Sequence, residues 1–284
     1  MRLATGGLIA LLVALVLNAG AEAQPGSNVD SCYKLVGLLV QQPSPKRELV
    51  TLVDRTTEID EGLASWVLRN VGRHISLGNA IAIATFSAFE ADHYTRRVFA
   101  ARLDTALTRS QRNATGKKVL RELDRCMEAQ LTYVRNAAER ALQESFGKPS
   151  SSVAHSDIAA SLKEAASSLV LPSTAHDKVL LIVSDMLENS SVTSFYERGT
   201  VRKIEPEAEL GKIERAGFFA HLGGAKIYIV GTAVIPAAAQ KSALGSYRDP
   251  LTIAALKAFW LEYFKRSNGI VADFGQPALL RDID

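Results

Sequence analysis

Two aspartates stand where runs suited to buried strands end. Leu49-Val50-Thr51-Leu52-Val53 leads into Asp54-Arg55-Thr56-Thr57-Glu58, and Leu180-Leu181-Ile182-Val183 leads into Ser184-Asp185-Met186-Leu187-Glu188-Asn189. A buried strand that delivers a carboxylate to its end needs a partner for that charge: a helix N-terminus, a base or a metal. In the first stretch Asp54, Thr56 and Glu58 occupy alternate positions. Three oxygen-bearing side chains on one edge of a short loop suit a hard cation, because Mg²⁺ wants about six oxygens in a near-octahedral array. A plainer reading stands beside this one. Asp54 before Thr-Thr is also a helix cap, Ser156 before small residues is another, and Asp185 with Asn189 and Ser190 also builds a turn.

The elements that must position these residues follow from periodicity. Arg47–Val53, Asn79–Phe86, Lys178–Val183, Lys226–Val230 and Ile270–Phe274 read as strands, the first four of them nearly continuous apolar runs. Tyr94–Leu103 reads either as a strand paired with the preceding one through Glu90-Ala91-Asp92 or as the beginning of a helix. Helical spacing covers residues 59 to 74, where Asp60 and Glu61 sit near the positive end, and Gly116–Phe146, which stops at Gly147-Lys148-Pro149. Further helices are expected at Asp157–Leu169, Ala208–Leu222 and Leu251–Arg266. The order predicts an α/β fold: an open, doubly wound, mostly parallel sheet with one antiparallel edge strand and helices on both faces. In such sheets ligands bind at the carboxyl ends of the strands, where Asp54 and Asp185 both stand.

The residues at these positions resemble the von Willebrand factor A-type domain family. Asp54-Arg55-Thr56-Thr57-Glu58 is similar to that family's Asp-x-Ser-x-Ser motif at the end of its first strand, and Val183-Ser184-Asp185-Met186 to its later strand that ends in an aspartate. Between them, Ser156 before Leu162 stands where the family places a threonine at a helix start. The resemblance spans about residues 47 to 275 in element order. It implies a metal ion-dependent adhesion site with Asp54, Thr56, Ser156 and Asp185 as ligands of Mg²⁺, Mn²⁺ or Ca²⁺, and one position kept for an acidic group of a partner protein. Glu58 departs from the family serine; it either strengthens the cation site or fills the open position and closes it. Met186 replaces the glycine usual after the later aspartate.

A haloacid dehalogenase-type phosphohydrolase is the alternative enzyme reading, with Asp54 as nucleophile. That family has Asp-x-Asp-x-Thr, and here Thr56 stands at the second aspartate, so the proton-transfer group is lost; Lys178 before a strand is slight support. A serine hydrolase lacks its Gly-x-Ser-x-Gly elbow. A third reading is a structural version of the fold without a working metal site. The segment from Glu188 to Gly224 is long for a connection and rises after Asp185. Glu188, Asn189, Phe195 and Tyr196 are therefore candidates for a partner-binding surface, or else Phe195 and Tyr196 pack beneath the loop.

Composition sets the compartment and narrows the partners. The 284 residues are 47% hydrophobic and 22% charged, which is ordinary for globular protein. A net charge of +3 argues against nucleic acid, because the basic residues between Arg96 and Arg140 are interleaved with acids. Arg2, the apolar run Leu8–Leu17 and Ala21-Glu22-Ala23 form a secretory signal over residues 1 to 23, with cleavage expected after Ala23. An uncleaved anchor is the alternative; the run is short for a membrane span, so none is expected after cleavage. Residues 24 to 46 read as a leader and linker, and 47 to 284 as one domain. Periplasmic or secreted location follows, and it permits a disulfide between the only cysteines, Cys32 and Cys126. Two buried thiols are the other option. The sequence thus points to an exported, metal-dependent protein-binding module rather than an enzyme.

Overall fold

The computed structural model describes residues 29–90, 93–146, 155–197, 200–232, 250–275, 278–279 and 281–283. The expected signal segment, the hairpin tip at 91–92 and the Gly-Lys-Pro stop at 147–149 lie outside them. Six strands form one sheet in the order β3-β2-β1-β4-β7-β8. They are β1 (Arg47–Asp54), β2 (Ala80–Glu90), β3 (His93–Arg102), β4 (Asp177–Val183), β7 (Lys226–Val230) and β8 (Ile270–Phe274). All neighbours are parallel except β2 and β3, which pair antiparallel as the sequence led us to expect. A small ribbon, β5 (Tyr196–Glu197) with β6 (Thr200–Val201), lies within the long segment after β4.

Period-two alternation explains how the helices divide between the faces. Leu49, Val53, Ile81, Ile83, Val179, Leu181 and Val183 point to one side, where they meet α2 (Glu61–His74) and the 29-residue α4 (Lys117–Ser145) through Leu63, Val67, Val71, Val134, Ala138 and Leu142. Val50, Leu52, Ala82, Ala84, Leu180, Ile182, Ile227 and Ile229 point to the other. There they pack on α5 (Ile158–Ala165), α6 (Pro206–Arg215) and α7 (Pro250–Arg266), with Phe259, Trp260, Tyr263 and Phe264 at the centre. Strands buried on both faces read as continuous apolar runs, which is why β1 and β4 carry that pattern.

Two helices differ from the sequence expectation. The helix expected over 208–222 begins at Pro206 and stops at Arg215, because Gly217 takes φ +69° and turns the chain. The helix expected from Asp157 to Leu169 ends its α-helical part at Ala165 and widens into a π turn, Ala166–Val170. A third apolar cluster holds the leader: α1 (Cys32–Leu35) packs on α4, with Cys32, Tyr33, Leu107, Leu123 and Met127 buried together, while short, exposed α3 (Arg109–Ala114) is tied to α4 by the Arg112–Asp124 ion pair at 2.8 Å. Cys32 and Cys126 are joined by a disulfide, with Cα atoms 5.7 Å apart.

Candidate metal centre

β1 and β4 are adjacent, while β2 continues from β1 toward the opposite edge, so the crevice between their carboxyl ends is the point where the winding reverses. Asp54 ends β1 and Asp185 follows β4 by two residues. Both are buried, with 0% and 4% of their surface exposed. Thr56 and two serines turn their hydroxyls onto Asp54. Thr56 Oγ1 donates to Asp54 Oδ1 at 2.6 Å, and its backbone N–H donates to the same oxygen at 2.9 Å. Ser184 Oγ donates to Oδ2 at 2.8 Å and Ser156 Oγ to Oδ2 at 3.2 Å.

Asp185 is held from its backbone. Its N–H donates to Thr57 Oγ1 at 3.0 Å, which ties the loop after β1 to the end of β4, and its Oδ1 accepts from Leu187 N at 2.9 Å. Met186 has φ +62°, the left-handed conformation that glycine favours. Its side chain is buried and its carbonyl accepts from Trp260 Nε1 at 2.8 Å, so α7 braces this turn. Gly231 at the end of β7 has φ +97°, and a Cβ there would lie 2.9 Å from the Ser184 carbonyl oxygen. The Ser184 backbone therefore leaves no room for a side chain at Gly231.

Ser156 is placed by a strand-like contact rather than by helix capping. Its backbone exchanges bonds with Asn189, N to O at 3.1 Å and 3.0 Å. Glu188 supports the same join, since its Oε2 accepts from Ala159 N at 2.9 Å at the start of α5. The helix-cap reading of the motif is not what the chain does: Asp60 caps α2 by accepting from Leu63 N at 2.7 Å, and the residue at the cap position of α5 is Asp157 rather than Ser156. Asp185 does close a local turn, but through Leu187 N–H rather than with Asn189 and Ser190, which bond to Ser156, Ser194 and Thr193.

Electrostatics sharpen the picture. Burial raises the Asp54 pKa above the ordinary aspartate value, and the bonds from Thr56, Ser184 and Ser156 offset only part of this. Burial, then the neighbouring charge of Asp54, drives Asp185 well above that value, against one lowering bond from Leu187 N–H. Two adjacent buried carboxyl groups are costly to ionise together, and a cation between them would offset that cost. Among the described residues no group of three or more His, Cys, Asp or Glu gathers to hold a metal, so a cation here would draw on hydroxyls as well. Two carboxylates with the hydroxyls of Thr56, Ser156 and Ser184 are all oxygen donors, the set preferred by Mg²⁺, Mn²⁺ or Ca²⁺.

Asp54, Thr56, Ser156 and Asp185 are thus brought together. Glu58 follows the same loop, half-buried, ahead of the α2 cap. The sequence reading passed over Ser184 and Thr57, both fully buried at the site. Their signal was present, a serine directly before the strand-end aspartate and the second of two threonines, but hydroxyl direction cannot be read from spacing. Two proposed surface residues need correction. Phe195 is fully buried against Phe259, with ring centroids 5.1 Å apart, and Glu188 is 1% exposed, so neither faces a partner. Asn189 and Tyr196 remain half-buried beside them.

No protein family model matches the sequence, and no curated protein matches it. Similar solved structures include the pilus adhesin SpaC from Lactobacillus rhamnosus GG in its open conformation. It is 13% identical, covers 82% of this chain and 28% of its own, and has a TM-score of 0.41. A three-domain N-terminal portion of the type V pili tip protein Mfa5 from Porphyromonas gingivalis is 12% identical over 52% of this chain and 21% of its own, with a TM-score of 0.30. An aerotolerance-related membrane protein from Bacteroides fragilis NCTC 9343 is 10% identical over 80% of this chain and 91% of its own, with a TM-score of 0.35. This chain therefore spans under a third of the adhesin's length. Likeness at this level carries no weight on function, which rests on the site itself.

Proposed function

We propose that the chain is an exported, metal-dependent protein-binding module of von Willebrand factor A-like type. Asp54, Thr56, Ser156 and Asp185 are its cation ligands, with Ser184 and Thr57 positioning them and Glu58 at the rim. The observation that carries this reading is the meeting of two buried carboxylates from adjacent strand ends amid three hydroxyls. Such a pair is costly to ionise alone and becomes favourable around Mg²⁺ or a similar hard ion. The bound ion would supply positive charge for an acidic group of a partner protein. Asn189 and Tyr196, from the segment above the site, would border that contact.

Binding is favoured over turnover by the state of Asp54. Both of its oxygens are engaged by hydroxyls and the residue is fully buried, a poor setting for attack on phosphorus. Export rests on the N-terminal segment together with the disulfide, which persists in oxidising compartments.

The reading is tested by panning displayed random peptides on the protein in Mg²⁺ and eluting with a chelator. Enrichment of Asp- or Glu-bearing peptides, lost with Thr56→Ala, is the expected result. Absence of any chelator-eluted binder, or hydrolysis of a generic phosphate ester that Asp54→Asn abolishes, would reject it.

A further inference from the structure

A second site lies at the other end of the sheet, at the amino ends of β1 and β2. Strand register lays one row across four strands there: Lys178 beside Glu48, Glu48 beside Ala80, and Ala80 beside Arg102. Directly paired residues point to the same face, so all four side chains face the α5 side. The row reads cation, carboxylate, methyl, cation. Neighbouring strands are about 4.8 Å apart, which leaves the Glu48 and Arg102 backbones roughly 10 Å apart with only a methyl between them.

That gap is a cleft of about 270 Å³. Ala80 and Ala100 form its floor, and Pro45, Leu169 and Pro172 its apolar walls. Its rim is pinned by backbone and side-chain bonds. Lys46 N donates to Gly78 O at 2.9 Å and His176 N to Pro45 O at 3.1 Å. Arg102 Nη2 donates to Pro43 O at 2.6 Å, and Lys178 Nζ to Val170 O at 3.1 Å, at the end of the π turn. Single π turns occur often beside functional sites. Burial raises the Glu48 pKa, and a bond with Ser173 and the charges of Lys178 and Arg102 offset part of this.

A preformed apolar cleft with opposite charges at its two sides selects its ligand by charge pattern. Of the charged residues that line the cleft, an anion alone meets Glu48 and a cation alone meets Arg102. We propose that this cleft binds a small zwitterion with an apolar body, an α-amino acid or dipeptide, its ammonium toward Glu48 and its carboxylate toward Arg102. The apolar side chain then lies against Leu169 and Pro172.

The test is calorimetry or ligand-observed NMR on the full chain with L-leucine, L-phenylalanine and leucyl-leucine. N-acetyl-L-leucine and L-leucinamide serve as controls that each lack one charge. Millimolar or tighter binding by at least one zwitterion is expected, with both blocked compounds weaker by about tenfold or more. Ala80→Leu, which fills the floor, should abolish the signal, and Glu48→Gln, which keeps shape while removing charge, should weaken it by about tenfold. The proposal is overturned if none of the three binds, if the blocked compounds bind equally well, or if Glu48→Gln binds as the parent does. Because the cleft and the carboxylate pair lie at opposite strand ends, failure here leaves the proposed cation site untouched.

Discussion

At the scale of single residues, the chemistry is that of carboxylates kept from ionising. Asp185 has its folded pKa well above the ordinary 3.8, from burial first and Asp54 second. The folded state therefore binds more protons than the unfolded one above that value, and stability falls as pH rises through the window. Asp185→Asn removes this cost, so the metal-free variant should melt above the metal-free parent at neutral pH while losing any response to Mg²⁺. Glu188 follows the same sign. Burial pushes it from 4.5 up to about 8, so its contribution is full below 4.5 and is lost as pH rises through about 8. Glu188→Gln keeps an acceptor for Ala159 N–H, and its melting temperature should fall less than the parent's between pH 6 and pH 9, roughly the window of that titration. That Asp54, Thr56, Ser156 and Asp185 lie together was expected from the family resemblance, with the two strand-end aspartates visible in the apolar runs themselves. Glu188 and Phe195 were not legible, because the irregular segment after β4 has no period from which an inward face can be read.

At the scale of elements, the sheet was legible nearly to its ends, since strands covered on both faces must be apolar throughout. The leader was harder to read, because its attachment is specified by contacts far along the chain. Asp104 accepts from Ser31 Oγ at 2.8 Å and Cys32 N at 2.6 Å, Gln130 bonds to Asp30 O at 3.0 Å, and the disulfide closes a 94-residue separation. A loop of that size implies stabilisation of up to about 4.7 kcal/mol in the chain-entropy view, commonly 2–4 kcal/mol when measured. Cys32→Ser with Cys126→Ser should therefore lower unfolding free energy by about 2–4 kcal/mol in denaturant titration. The response to cations should persist, since α1 and α4 contribute nothing to the carboxylate pair. The shortened α6 and the π turn after α5 escaped prediction for a local reason: Gly217 and the packing of Leu169 and Val170 override a pattern that otherwise continues.

At the scale of the whole molecule, the doubly wound sheet puts one charged constellation at each end of its strands. The carboxyl end joins Asp54 and Asp185 across the reversal of winding, and the amino end holds the zwitterion-patterned cleft. The central claim, that the carboxyl end is a cation site, is tested most directly by the melting temperature of metal-stripped protein titrated with Mg²⁺ and Mn²⁺. A ligand of the folded state alone adds about 2.7 kcal/mol at a hundred times its dissociation constant. For a chain of this size each kcal/mol moves the melt by about 2–4 °C. A saturable rise of about 5–10 °C in the parent, absent in Asp185→Asn, is the expected result. No shift at millimolar metal in the folded parent, or an equal shift in Asp185→Asn, would contradict it and leave the two aspartates as structural groups of the sheet.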